Sequence, residues 1–144
     1  MISRIKNSIL NNYLKSGLQA LKSSDKKRII LSDSRNLIGS IDIDSNFKKS
    51  CPNDNRWDYL ILINSNIEGY FIEVHPAHTS EIKVMIKKKE WLENKIINIY
   101  FKNVNKNKYK IVWISSGKNA ILKSSKEYKL LAKHNLKPIG TIKI

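Results

Sequence analysis

The sequence predicts an α/β fold: a central mixed β-sheet with a hairpin core, flanked by helices, in one domain over residues 1–144. Three observations predict it. Trp57 to Ile63 is a near-continuous apolar run, as expected of a strand buried on both faces. A turn rich in Asn, Ser and Gly, Asn64 to Gly69, joins it to a second apolar run, Tyr70 to His75, which Pro76 stops. Beyond them lie a helical stripe, Ile82, Met85, Ile86 and Leu92, and a further buried-strand run, Tyr109 to Ser115.

In chain order, Ser3 to Leu21 is predicted helical, because Ile5, Ile9, Leu10, Tyr13, Leu14, Leu18 and Leu21 fall close to a 3.6-residue period. Ser23 to Arg28 reads as a basic linker, and Ile29 to Leu31 as a short buried turn or strand. Between Gly39 and Ser50, Ile41 and Ile43 alternate with Asp42 and Asp44, the pattern of a short strand with one acidic face. Cys51 to Asn55 is a turn by composition. After the hairpin, Thr79 is the expected N-cap of a helix from Ser80 to about Glu93, with Glu81 in its first turn. Ile96 to Val104 is open to two readings: Ile97, Tyr100, Phe101 and Val104 suit a short helix continuing the crossover to the Tyr109 strand, and Ile97, Ile99 and Phe101 suit a strand. Ser125 to Lys133 is a final short helix, and Ile139 to Ile144 a last strand at an edge, where lysines blunt pairing.

Composition bounds the function. With one cysteine, Cys51, no internal disulfide can form, which fits a reducing, cytoplasmic setting. The first residues do not have the pattern of a signal peptide, and no apolar run approaches the roughly 20 residues that span a bilayer. The formal net charge is +15, which points to an anionic partner, DNA or RNA. An AT-biased genome also yields such a Lys- and Asn-rich chain, so position matters more than the sum. Twelve lysines lie from Lys95 onward against one acid, Glu127. The acids gather in the middle instead, at Asp42, Asp44, Asp54, Asp58 and Glu73. No zinc finger, helix-turn-helix or aromatic RNA-binding motif is present.

Folding the hairpin about Asn66 and Ile67 puts Asp58 opposite His75 and Leu60 opposite Glu73. Asp58, Glu73 and His75 then share one face at one end of the sheet. Two carboxylates beside apolar side chains need a divalent cation or a Lys or Arg partner. Each has a plainer reading: Asp58 as a strand-start residue bonding local backbone, Glu73 as the partner of a lysine across the sheet. His75 and His78, spaced His-x-x-His, also suggest a zinc site completed by Asp58 or Glu73.

Asp58, a gap of fourteen residues, and Glu73-Val74-His75 resemble the core motif of the PD-(D/E)XK nuclease-like superfamily, whose core is restriction-endonuclease-like. The order of elements from Ser3 to Ser115 resembles it too. The sequence departs from the pattern in three places: His75 stands at the motif lysine, Trp57 precedes the first acid, and the first helix carries no acid. The resemblance implies that Asp58, Glu73 and the Val74 carbonyl bind Mg or Mn. It implies that His75, or a lysine moved to the next helix (Lys83 or Lys87), positions or activates the attacking water. The implied chemistry is phosphodiester hydrolysis. The alternatives are a nuclease-like module that lost activity and binds nucleic acid or a protein partner, and a zinc-dependent hydrolase.

Overall fold

The computed structural model describes all residues, Met1–Ile144. In chain order the elements are α1 (Ile2–Lys6), a 3-10 turn (Ile9–Tyr13), β1 (Lys15–Ser16), α2 (Ser23–Lys26), β2 (Ile29–Ile30), β3 (Leu37–Asp42), α3 (Ile43–Phe47), β4 (Tyr59–Ile63) and β5 (Gly69–His75). A long helical segment follows, made of α4 (Ile82–Trp91), a π-helical stretch (Leu92–Ile97) and α5 (Asn98–Tyr100). Then come β6 (Tyr109–Ser115), α6 (Lys126–His134) and β7 (Ile142–Lys143).

Five strands form a mixed sheet in the order β1-β3-β4-β5-β6, with β5 and β6 parallel and the other neighbours antiparallel. The hairpin β4–β5 occupies its middle, as the apolar runs require. Its side chains alternate between two cores. Leu60, Leu62 and Phe71 pack with Ile82, Met85, Leu92, Trp113 and Leu131, so the long helix, α1 and α6 lie over that face. Tyr59, Ile61, Tyr70 and Ile72 pack with Leu21, Ile29 and Ile114 on the other. That second face is closed by β2 and β7, which pair in parallel, and by the turn at Ser23–Lys26, tied down where Tyr59 Oη donates to Asp25 Oδ2 at 2.6 Å. Arg28 clamps the end of β6, donating to the carbonyls of Ser115 and Ser116 at 2.9 and 2.8 Å. No helix is long and apolar enough to cross a membrane.

Several expectations are corrected. The N-terminal helix from Ser3 to Leu21 breaks up. Ser8 turns its hydroxyl onto the Leu10 N–H, Leu14 is extended, and Gly17 sits at φ +56, so the periodic apolar residues pack as separate short pieces. Gly39 in β3 makes room for the strand that results: a Cβ there would stand 2.5 Å from the Lys15 carbonyl oxygen. The acidic strand ends at Asp42, which caps α3 by accepting from the Ser45 N–H at 2.9 Å. Thr79 does not cap its helix; its Oγ1 accepts from Leu122 N–H. The last stretch does lie at an edge but is split: Ile139 bridges Ile114 on the outer side of β6, and Ile142–Lys143 pairs with β2 in a separate two-stranded ribbon.

Candidate active site

Asp58 lies one residue before β4. Extending the β4–β5 register, in which Tyr59 faces Ile72, puts Asp58 across from Glu73 and not from His75. The expected register is therefore two residues out, and a slip of two leaves every side chain on its predicted face. The two carboxyl groups meet in a reciprocal clasp where the ladder ends. The Asp58 N–H donates to Glu73 Oε1 at 2.9 Å, and the Val74 N–H donates to Asp58 Oδ2 at 2.9 Å. Trp57, fully buried, anchors the chain just before the clasp.

Glu73 is fully buried, and its second oxygen, Oε2, accepts from Lys88 Nζ at 2.5 Å. This lysine comes from α4. Lys83 and Lys87, the positions nominated by sequence, are exposed and take no part. The signal that identifies Lys88 is helical phase: Ile82, Met85, Lys88 and Leu92 fall three, three and four residues apart, on the stripe that faces the sheet. Glu73 thus pairs with a lysine on the helix above it, not across the sheet.

His75 stands beside this pair with its Nδ1 3.6 Å from Glu73 Oε2 and its Nε2 2.9 Å from Glu81 Oε2. Glu81, expected only to favour the helix N-terminus, closes the row Asp58, Glu73, His75, Glu81. The nearby Glu73 carboxylate, then that of Glu81, raise the His75 pKa above the ordinary histidine value, against burial and the Lys88 charge. Glu81→Gln is expected to lower the His75 pKa, read from its ring proton shifts in an NMR titration, while the fold is kept. An unchanged titration would remove Glu81 from the row.

Asp58 is pushed up from 3.8 to about 7, first by burial and next by the Glu73 charge; the Val74 N–H and Lys88 pull the other way. Its Oδ1 accepts no hydrogen bond from the protein. Asp58 is therefore a hard oxygen donor short of positive charge, the chemistry that suits Mg or Mn. Glu73 can join it only as Lys88 yields Oε2. No group of three or more His, Cys, Asp and Glu gathers as a metal cage, although Mg commonly uses one or two carboxylates and waters.

Asp42 caps α3. Asp44 stands beside Asp58: its N–H donates to the Asp58 carbonyl at 3.3 Å, its charge adds to the rise in the Asp58 pKa, and its Oδ1 accepts from Arg56 Nε at 2.9 Å. His78 is exposed and bridges to Ala120, so the His-x-x-His pair does not converge as a zinc site. No family model, curated protein or solved structure matches this chain.

Proposed function

We propose that this chain is a metal-dependent, nuclease-like domain of the PD-(D/E)XK kind that acts on nucleic acid, with its lysine supplied by the helix. The observation that carries the reading is the meeting of Asp58, Glu73 and Lys88 where β4 and β5 part. The order of strands supports it: an antiparallel pair carrying both acids, a helix, then a strand parallel to the second. So does the excess of lysine over acid.

In this reading Asp58 and Glu73, with the Val74 carbonyl, hold a Mg or Mn ion, which when bound stabilises charge on phosphate oxygens and lowers the pKa of a water. The protein's own groups do the rest. Lys88, released from Glu73, places a positive charge beside the phosphate. His75, held between two carboxylates that raise its pKa, can give its proton to the leaving oxygen. A second reading, a degenerate module that only binds nucleic acid or a protein partner, is favoured by the closure of the site. Glu73 is sealed, and the main cavities are lined by none of Asp58, Glu73, His75 and Lys88.

Thermal unfolding at pH 8 with and without manganese separates the two. Manganese at about a hundred times its Kd should stabilise the protein by about 2.7 kcal/mol. Asp58→Asn and Glu73→Gln should abolish that shift, together with any cleavage of single- or double-stranded oligonucleotides. No shift in the unsubstituted protein would remove the enzyme reading. A shift without cleavage would favour the degenerate module.

A further inference from the structure

A cleft of about 560 Å³ lies beside β6, lined by none of Asp58, Glu73 and Glu81 but by Lys89, Lys106, Lys110 and Lys137 with Tyr109 and Asn135 among its other walls. Its one acid is Glu93. None of these four lysines takes part in an ion pair. Lys89 donates to the His134 carbonyl, while Lys106, Lys110 and Lys137 are exposed. Four ammonium groups around one hollow repel one another and attract a polyanion.

The backbone adds a second feature. β6 is the outer strand of the sheet. The Ile139 segment covers only its far end, where the Ile139 N–H donates to the Trp113 carbonyl and the Ser115 N–H to the Ile139 carbonyl. N–H groups alternate in direction along a strand, so the Ile111 N–H also faces outward, into the uncovered half that lines the cleft. An unpaired N–H among lysines is a phosphate donor, as backbone amides often are at nucleic-acid interfaces. The cleft and the carboxylate site flank the same helix: Lys88 turns to Glu73, and Lys89, the next residue, turns to the cleft.

We propose that this cleft holds the phosphodiester backbone of a nucleic acid, through Lys106, Lys110 and Lys137 and the Ile111 N–H. The proposal rests on the nucleic-acid reading above and gives it a track. The contacts are to phosphate, so they position the strand without reading its bases.

The test is fluorescence anisotropy of labelled single-stranded and duplex oligonucleotides between about 25 and 200 mM salt. The cleft variant K106A/K110A/K137A is compared with K6A/K22A/K27A, which removes the same charge from exposed lysines outside the cleft. On duplex, the cleft variant should lose about 2–3 from the slope of log affinity against log salt, since each phosphate contact contributes about 0.9. It should bind at least about tenfold more weakly at 50 mM salt, whereas the control should lose less than about 1 of slope. In the unsubstituted protein, the Ile111 and Lys110 amide resonances should move as oligonucleotide is added. Equal losses in the two variants, or stationary Ile111 and Lys110 amides, would overturn the cleft and leave nucleic-acid binding standing. No binding by the unsubstituted protein at low salt would overturn both.

Discussion

Replacing Lys88 by methionine is expected to lower the unfolding free energy by about 3–5 kcal/mol, because it strips the buried Glu73 carboxylate of its ammonium partner with no route to water. The Glu73 side chain is 1% exposed and that of Lys88 16%. The asymmetry predicts the rest of the cycle. Glu73→Gln should cost less, about 1–3 kcal/mol, since a lysine near the surface can turn its ammonium outward. The double variant should lie close to Glu73→Gln alone, giving a coupling energy close to the whole cost of Lys88→Met, about 3–5 kcal/mol. Lys83→Met and Lys87→Met, on the exposed face of the same helix, should stay within about 0.5 kcal/mol of the starting protein. Urea unfolding of the five variants reads all of this. A coupling under about 0.5 kcal/mol would mean that the ion pair does not exist in solution.

Asp58→Asn is expected to stabilise the protein at pH 8 by roughly 2–4 kcal/mol, with about a third of that gain already present at pH 5. The folded chain holds the Asp58 proton up to about 7, whereas the ordinary value is 3.8. Between those values the folded state binds more protons than the unfolded one, so stability falls as pH rises from about 4 through 7 and then levels off. His75 acts in the same direction. Its folded pKa is raised, so its contribution is full below about 6.5 and is lost as pH rises through the higher folded value. Asparagine keeps an oxygen for the Val74 N–H and cannot ionise, so the variant should retain only the slope due to His75. Chemical unfolding from pH 4.5 to 8.5 measures both slopes. If the unsubstituted protein gained stability over this range, Asp58 would not be the strained acid described here. A residue that costs the fold stability at neutral pH is what a binding or catalytic carboxylate looks like before its ligand arrives.

The parts of the structure that were legible are those where burial and local chemistry agree. The hairpin runs are apolar on both faces because two cores enclose them, and β6 and α6 carry their own signals, an apolar run and a Ser125 cap. The N-terminal helix was misread because apolar periodicity does not register a serine side chain competing for its own backbone or a glycine at positive φ. Asp42 and Asp44 looked like a strand face, yet aspartate is also a capping residue, and a helical turn followed at once. At the site, Asp58, Glu73 and His75 were found from alternation, which survives a two-residue slip. Proximity to the strand points to Lys83 and Lys87; only the helical phase shared with Ile82, Met85 and Leu92 points to Lys88. Glu81 carried no distinct signal: its bond to His75 depends on the 3-10 turn Thr79–Glu81 that precedes α4.

The β2–β7 ribbon has a consequence for how the chain is made. Its partners, Ile29 with Ile142 and Ile30 with Lys143, are separated by most of the chain. As the polypeptide leaves the ribosome, the Tyr59, Ile61 and Ile72 face can form its hairpin early but cannot be sealed until Ile142 emerges. At about 5–20 residues per second, that interval lasts several seconds. Throughout it, one side of the sheet shows bare isoleucine to its surroundings. Until then the side of the sheet opposite the carboxylates lacks its last cover and stays open to aggregation and to a chaperone.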